Sequence, residues 1–461
     1  MKIERIAIGG AMVASAVVWI AGLKGGNASA DSIPKGLAPP YPNTFFDSDP
    51  NNPWNRLYGT LFIRPAWDGK LYGLDEMDPL YWRDTHYLLD GPMHQKVLGV
   101  LDDFIQADSA RLVTDPLERA LFQRILWALF DSLATHKEGA DHKDFAAERR
   151  EIEVRLVKIM KSVALTDDEI KALPDNYRLE VAAKTYPAAF DPAQPEQPFL
   201  PGTFFSGAEW VDLMNGPDGP AGPIAPVHVR GVSGRSAFHV LMSLPTGRSD
   251  TLDYLKKLNH FEPHWLYSPS LMANPSMPRS VLTHLNAELP QVPVLTKFAL
   301  VRMANLIDAR GDAVNSPLME SVQLRVIGAL SSTEKRGSEE YLDFFILDQM
   351  KLMRGQGGLV ARKKTQRFEM VLSRLMMISG DTLERHWNAE DTSPGEDAPL
   401  TSCLQCHGGP GIFSMNSYRQ LFQDQTVTPP DLEVGDKAGA DSVTWKEQQY
   451  DWGLLQAYWF Q

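Results

Sequence analysis

Cysteine is nearly absent from this chain, with two residues, Cys403 and Cys406, in 461. That excludes a disulfide framework, because one bridge closing so short a loop would constrain little of the unfolded chain. The two thiols need another reason. A second long apolar run is missing as well. After the 18 uncharged residues from Ile6 to Leu23 no comparable stretch follows, so no integral membrane span is expected once the N-terminus is processed. Positive charge is in deficit: 45 Lys and Arg stand against 58 Asp and Glu, a net charge of -13. Such a balance opposes binding to phosphate backbones or anionic lipid, and no nucleic-acid partner is expected. Internal repeats and low-complexity tracts are also lacking.

What is present is the composition of a folded chain, 43% hydrophobic with 11 Trp, 13 Tyr and 20 Phe, and enough length for two or three structural units. Residues 1–30 have the form of a signal peptide: Lys2 and Arg5 open it, the uncharged run follows, and Ala28-Ser29-Ala30 offers a cleavage site before Asp31. The expected location is the periplasm or another exported compartment. An uncleaved N-terminal membrane anchor is the alternative, since 18 residues reach the lower limit for crossing a bilayer.

The sequence predicts an α+β fold with a helical N-terminal region, a central antiparallel sheet region, and a loop-rich and helical C-terminal haem-binding region. Residues 31–186 form the first, although the stretch from Asp31 to Asp84 reads as irregular. Helical spacing runs from Met93 to about Leu173. Within it, Asp115-Pro116-Leu117-Glu118 predicts a capping box opening a helix to about His136, a second helix covers 143–163, and Thr166 caps a third. Nine prolines between Pro187 and Pro226 mark a boundary, because proline neither continues a helix nor donates to a strand ladder. The second region, 187–365, shows period-two alternation at Phe238–Met242 and Val322–Val326, a further strand around Leu342–Leu347, a helix over 249–259 and a turn at Ala309–Asp312. The last region, 366–461, opens with helical spacing at 368–378, becomes loop-rich, and ends in an aromatic tail expected to dock over apolar surface.

Thr401-Ser402-Cys403-Leu404-Gln405-Cys406-His407 contains C-x-x-C-H. This spacing lets two thiols add to the vinyl groups of haem while the next residue reaches the iron. The motif resembles the haem-attachment site of c-type cytochromes, firmly over five residues and loosely over about the last 80. The resemblance implies one covalent haem c, with Cys403 and Cys406 as thioethers and His407 as the proximal iron ligand. Zinc would need a second pair of ligands at matched spacing, and no second Cys pair exists. A thioredoxin-like pair would sit between a strand and a helix, whereas Ser393-Pro394-Gly395-Glu396-Asp397-Ala398-Pro399 precedes this one. A plain local disulfide is the remaining rival.

The second axial position stays open at this level. His386, Met415, one of Met370, Met376 and Met377, a more distant residue, or no residue could fill it. Small soluble cytochromes of this type usually supply a Met well after the His, and here only Met415 follows His407. The pair His260 and His264 is disfavoured as a metal site by Pro263, and Gly231-Val232-Ser233-Gly234 reads as a turn rather than a nucleophile elbow. The function implied is an exported mono-haem cytochrome that transfers electrons to a redox partner protein and depends on haem maturation machinery. A peroxidase-like haem enzyme or a haem-based sensor, each with an open distal iron site, is the alternative; no catalytic residue is assigned.

Overall fold

The computed structural model of the chain describes residues 46, 48–65, 71–72, 86–135, 145–213, 225–259, 261, 265–267, 283–286, 288–330, 339–362, 411–412 and 437–461. They show the expected α+β architecture: helices come first, and a six-stranded antiparallel sheet occupies the centre. Residues 1–30, expected to be a signal peptide, and the helical spacing at 368–378 lie outside the described residues.

The first helix, α1 (Pro53–Phe62), stands in the stretch that reads as irregular. Its start signal is local: Asn52 Oδ1 accepts from Trp54 N at 2.9 Å, with Pro53 at the first helical position. Trp54, Leu57, Tyr58 and Leu61 then recur at helical spacing and are fully buried. A two-stranded ribbon follows, β1 (Arg64–Pro65) with β2 (Leu71–Tyr72). Next come α2 (Gly91–Gln106), α3 (Pro116–Ala134), α4 (Ala146–Ser162), α5 (Asp167–Lys171) and α6 (Asn176–Ala183).

Asp115 caps α3 by accepting from Leu117 N at 2.7 Å. The complete reciprocal box forms instead at Thr166 and Glu169, at the head of α5. Helix α3 is buried on nearly every side from Ala120 to Leu133, Gln123, Arg124 and Asp131 along with the apolar residues. Phe122, Leu126 and Phe130 join the cluster of α1, α2 and α4, where Trp54 stacks on Phe122 at 4.4 Å between ring centroids, while Ala120 and Leu121 face the sheet. Gln123 fixes the helix to that sheet. Its amide donates to Ile307 O at 2.8 Å and accepts from Ile307 N at 2.9 Å, closing two backbone groups that would otherwise be buried unpaired.

The proline-rich stretch is a covering layer, burying Phe199, Leu200, Phe204 and Trp210 against the sheet, and it contributes β3 (Val211–Leu213). Helix α7 (Pro226–Gly231) then turns into β4 (Ser236–Ser243) through Ser233 and Gly234, both at positive φ, as the turn reading of Gly231–Gly234 requires. After α8 (Arg248–Asn259) come the short pair β5 (Trp265–Tyr267) and β6 (Thr283–Leu285). The long strands are β7 (Lys297–Ile307), β8 (Ala313–Ala329) and β9 (Glu339–Leu347), followed by α9 (Gln349–Met353) and β10 (Leu359–Arg362). The sheet order is β10-β9-β8-β7-β4-β3, every pair antiparallel. The β7–β8 turn is the one expected: Asp308 Oδ1 accepts from Arg310 N and Asp312 N, and Gly311 takes φ +92.

One face of the sheet, carrying Leu241, Ala299, Val301, Val322 and Leu324, packs on α3 and the proline-rich layer. The chain closes with α10 (Lys437–Glu447) and α11 (Tyr450–Trp459). The aromatic tail docks as expected: Trp452 and Trp459 are buried in the cluster of N-terminal helices, whereas Tyr450 and Phe460 are exposed. Among the described residues no helix is long and apolar enough to cross a membrane.

Candidate functional site

Cys403, Cys406 and His407 lie outside the described residues, as do His386, Met415, Met370, Met376, Met377, His260 and His264. The described residues nearest the motif are Gly411 and Ile412. Ile412 is 3% exposed, packed among Met242, Leu255, Leu258 and Phe298, and its N–H donates to Gln291 Oε1 at 2.7 Å. Gly411 has φ +56, and a Cβ there would meet the Gln291 carboxamide and Leu330. Only glycine fits so close an approach in that conformation. The chain just beyond the C-x-x-C-H segment is therefore fixed to the second face of the sheet.

That face is set by the period of two along β4. Phe238, Val240 and Met242 share it, and cross-strand pairing adds Arg302, Leu300 and Phe298 from β7, then Arg325 opposite Phe298 on β8. At its Ile412 end the cover is α8, through Tyr254, Leu255 and Leu258. At its other end Phe238 packs with Ala225, Val229 and Val232 of the α7 segment and with Trp445 of α10, and Val240 touches both clusters. The result is an apolar strip, with a guanidinium at Arg325, between two covered ends.

His228 sits on α7 at the Phe238 end, the two ring centroids 5.6 Å apart. The residue keeps some solvent access, but its Nδ1 is sealed from solvent with no hydrogen-bond partner. Burial pushes its pKa down to about 4, so the imidazole is neutral at pH 7. A buried polar atom left unsatisfied costs stability and calls for an explanation. His239 is different: it points to the opposite face, its Nδ1 2.9 Å from Asp212 Oδ2 and its ring edge-on to Phe205 at 4.9 Å. It is a paired imidazole.

Beside Phe238, where β4 begins, lies a buried ionic network. Glu320 Oε2 accepts from Ser236 Oγ and Arg302 Nε, each at 2.5 Å, and Glu320 Oε1 is 3.0 Å from Arg124 Nη2. The Oε1 contact is an ion pair by distance but falls outside hydrogen-bond geometry. Asp131 Oδ2 accepts from Arg235 at 2.6 Å and from Lys446 at 2.7 Å, and Lys446 also donates to Asp451 at 2.6 Å. Burial raises the Asp131 pKa to about 6 against the opposing pull of Lys446 and Arg235. The sequence carries no spacing that would reveal this network, because its members come from six separate elements. His228 has no motif either; its only signal is a histidine set in an apolar helix start after Pro226.

Among the described residues no group of three or more His, Cys, Asp and Glu is placed to hold a metal ion. Comparison of the chain with protein-family models, with curated proteins and with solved structures gives no match.

Proposed function

We propose that this chain is an exported mono-haem c-type cytochrome that passes electrons to a redox partner protein. The observation that carries the proposal is that its only two cysteines fall at the two positions of C-x-x-C-H, with His407 directly after. When bound, haem c supplies a one-electron redox centre. Cys403 and Cys406 hold it as thioethers. His407 is its proximal ligand, carried to the iron by the same turn with little further chain entropy to lose.

The described residues fit such a group. A macrocycle needs apolar surface, and the half-buried Val240 and Leu300 supply some on this face. Ile412 anchors the chain to this same face five residues after His407, and a tether of five residues spans at most about 18 Å. The role of the chain in electron transfer is then to hold the haem covalently, limit water at its face and fix its axial groups, which set its potential.

The test is denaturing electrophoresis of the mature protein with haem staining, together with a pyridine haemochrome spectrum. Colour that stays with the polypeptide, in a spectrum of two saturated vinyl positions, is the expected result. Haem that leaves on denaturation would defeat the proposal.

A further inference from the structure

We infer that the cavity between α5, the β7–β8 hairpin and α10 is a binding site for a small molecule that carries an ammonium group and a carbonyl on an apolar body. None of its lining residues belongs to the haem assignment above, and the cavity needs no haem to form.

The cavity measures about 530 Å³, within the range of about 300–1,000 Å³ usual for small-molecule sites. It opens where the sheet leaves regular pairing. On β7 only Ala304 separates Met303 from Asn305, whereas on β8 Ser316, Pro317 and Leu318 separate their partners Met319 and Asn315. The proline brings no N–H to the ladder, so the extra residues bulge outward. Other side chains hold that bulge in place. Ser316 Oγ donates to Ala304 O at 2.8 Å and accepts from Leu318 N at 3.3 Å, while the buried Asn176 of α6 accepts from Met319 N at 2.7 Å and donates to Met319 O at 3.0 Å. A bulge secured on both sides re-aims the residues beside it, and here Asn315 and Pro317 line the cavity.

The lining sets the chemistry of the ligand. Met303, Val314, Pro317, Ala440 and Val443 give it apolar walls. The Asn315 carboxamide makes no hydrogen bond among the described residues; its Oδ1 is sealed, but its nitrogen keeps access to solvent and offers N–H donors to a carbonyl. Asp167 supplies the acceptor. Its Oδ2 accepts from Lys171 Nζ at 2.8 Å, with the lysine 65% exposed, and so open an ion pair is weak enough to yield to a second ammonium held against the apolar wall. Charge selects the sign of the ligand. The groups acting on this pair and on the neighbouring Arg310 are the carboxylates of Asp167, Asp168, Asp308 and Asp312, against the two cations alone. That excess draws in a cation and opposes an anion.

Isothermal titration calorimetry of the mature protein with phenylalaninamide tests the site, using the Asp167→Asn, Asn315→Ala and Ala440→Leu variants, each checked for folding by circular dichroism. Saturable one-to-one binding to the wild type is expected. Asp167→Asn should weaken it at least about tenfold, because a hydrogen bond between charged groups is lost. Ala440 is exposed on the cavity wall, so Ala440→Leu fills the cavity without crowding the core and should abolish binding. Asn315→Ala removes a sealed, unpartnered oxygen, so the free protein should be no less stable to urea while its affinity falls, a pattern that a purely structural asparagine would not give. N-acetylphenylalaninamide, which lacks the ammonium, should not bind. Phenylalanine distinguishes the sources: affinity equal to that of the amide identifies free amino acids, and weaker affinity identifies amides and peptide N-termini. Lack of saturable binding to the wild type, equal binding of the acetylated probe, or affinity unchanged in both Asp167→Asn and Ala440→Leu overturns the inference. None of these results bears on covalent haem, which the staining test decides separately.

Discussion

Lys446 Nζ lies 2.7 Å from Asp131 Oδ2, although 315 positions separate the two residues in sequence. The ammonium is wholly buried, shared with Asp451 and 5.4 Å from the centre of the Trp127 ring. It ties helix α10 to the last turn of α3, so two distant parts of the chain depend on one cation.

Lys446→Met should therefore be among the most damaging single substitutions. It leaves Asp131 and Asp451 in a low-dielectric site without their shared counter-charge, and breaking a buried pair from one side costs about 3–5 kcal/mol. Urea unfolding followed by tryptophan fluorescence measures it. Adding Asp131→Asn to Lys446→Met should recover part of the loss, because the abandoned carboxylate is then gone.

Asp131 gives a pH dependence of definite sign. Its pKa is raised from the ordinary 3.8 to about 6, so the folded state holds the proton more tightly than the unfolded chain. Its contribution to stability must grow as pH falls through 6 and be complete below about 4, on the order of 3 kcal/mol. The stability of wild type minus that of Asp131→Asn should rise across that window. A flat or falling difference would show that the carboxylate is held ionised by Lys446 and Arg235.

Gly234→Ala tests the turn that presents α7 to the sheet. At φ +72 a Cβ would lie 2.8 Å from the Trp445 ring. The left-handed backbone and the overlap together should cost about 2–4 kcal/mol. Hydrogen exchange should show the loss first in α10, which carries Trp445, and a stability equal to wild type would show that α10 yields without cost.

His407→Ala should keep haem on the chain through Cys403 and Cys406 and lose the proximal nitrogen, changing the spectrum while leaving the stained band in place. Cys403→Ser should leave at most one thioether and mature poorly. A native axial spectrum in His407→Ala would remove that residue from the iron.

The fold was legible where periodicity is strong. The strands at Phe238–Met242 and Val322–Val326 stand where alternation predicts them, within β4 and β8, and α4 and α8 begin and end close to their predicted limits. Helix α1 was not legible, because its Asn and Pro signals resemble those of a loop until the burial of Trp54, Leu57, Tyr58 and Leu61 is known. Strand β7 hides for another reason: Lys297–Ile307 is buried at most positions on both faces, so its apolar residues do not alternate. The motif at Cys403–His407 is local and visible in the sequence. His228 and the Asp131–Lys446 network are products of folding, and no spacing between their residues encodes them.

The burial of Trp452 and Trp459 among helices drawn from residues 46–164 has a kinetic consequence. Lys161 even donates to Trp459 O at 2.6 Å, two residues from the end of the chain. The N-terminal helical layer cannot complete its interior until residues 452–459 have been synthesised. During that interval it exposes the apolar surface that these tryptophans later cover. Contacts of such long sequence separation close slowly, and the waiting layer is the part of the nascent protein most in need of protection against aggregation.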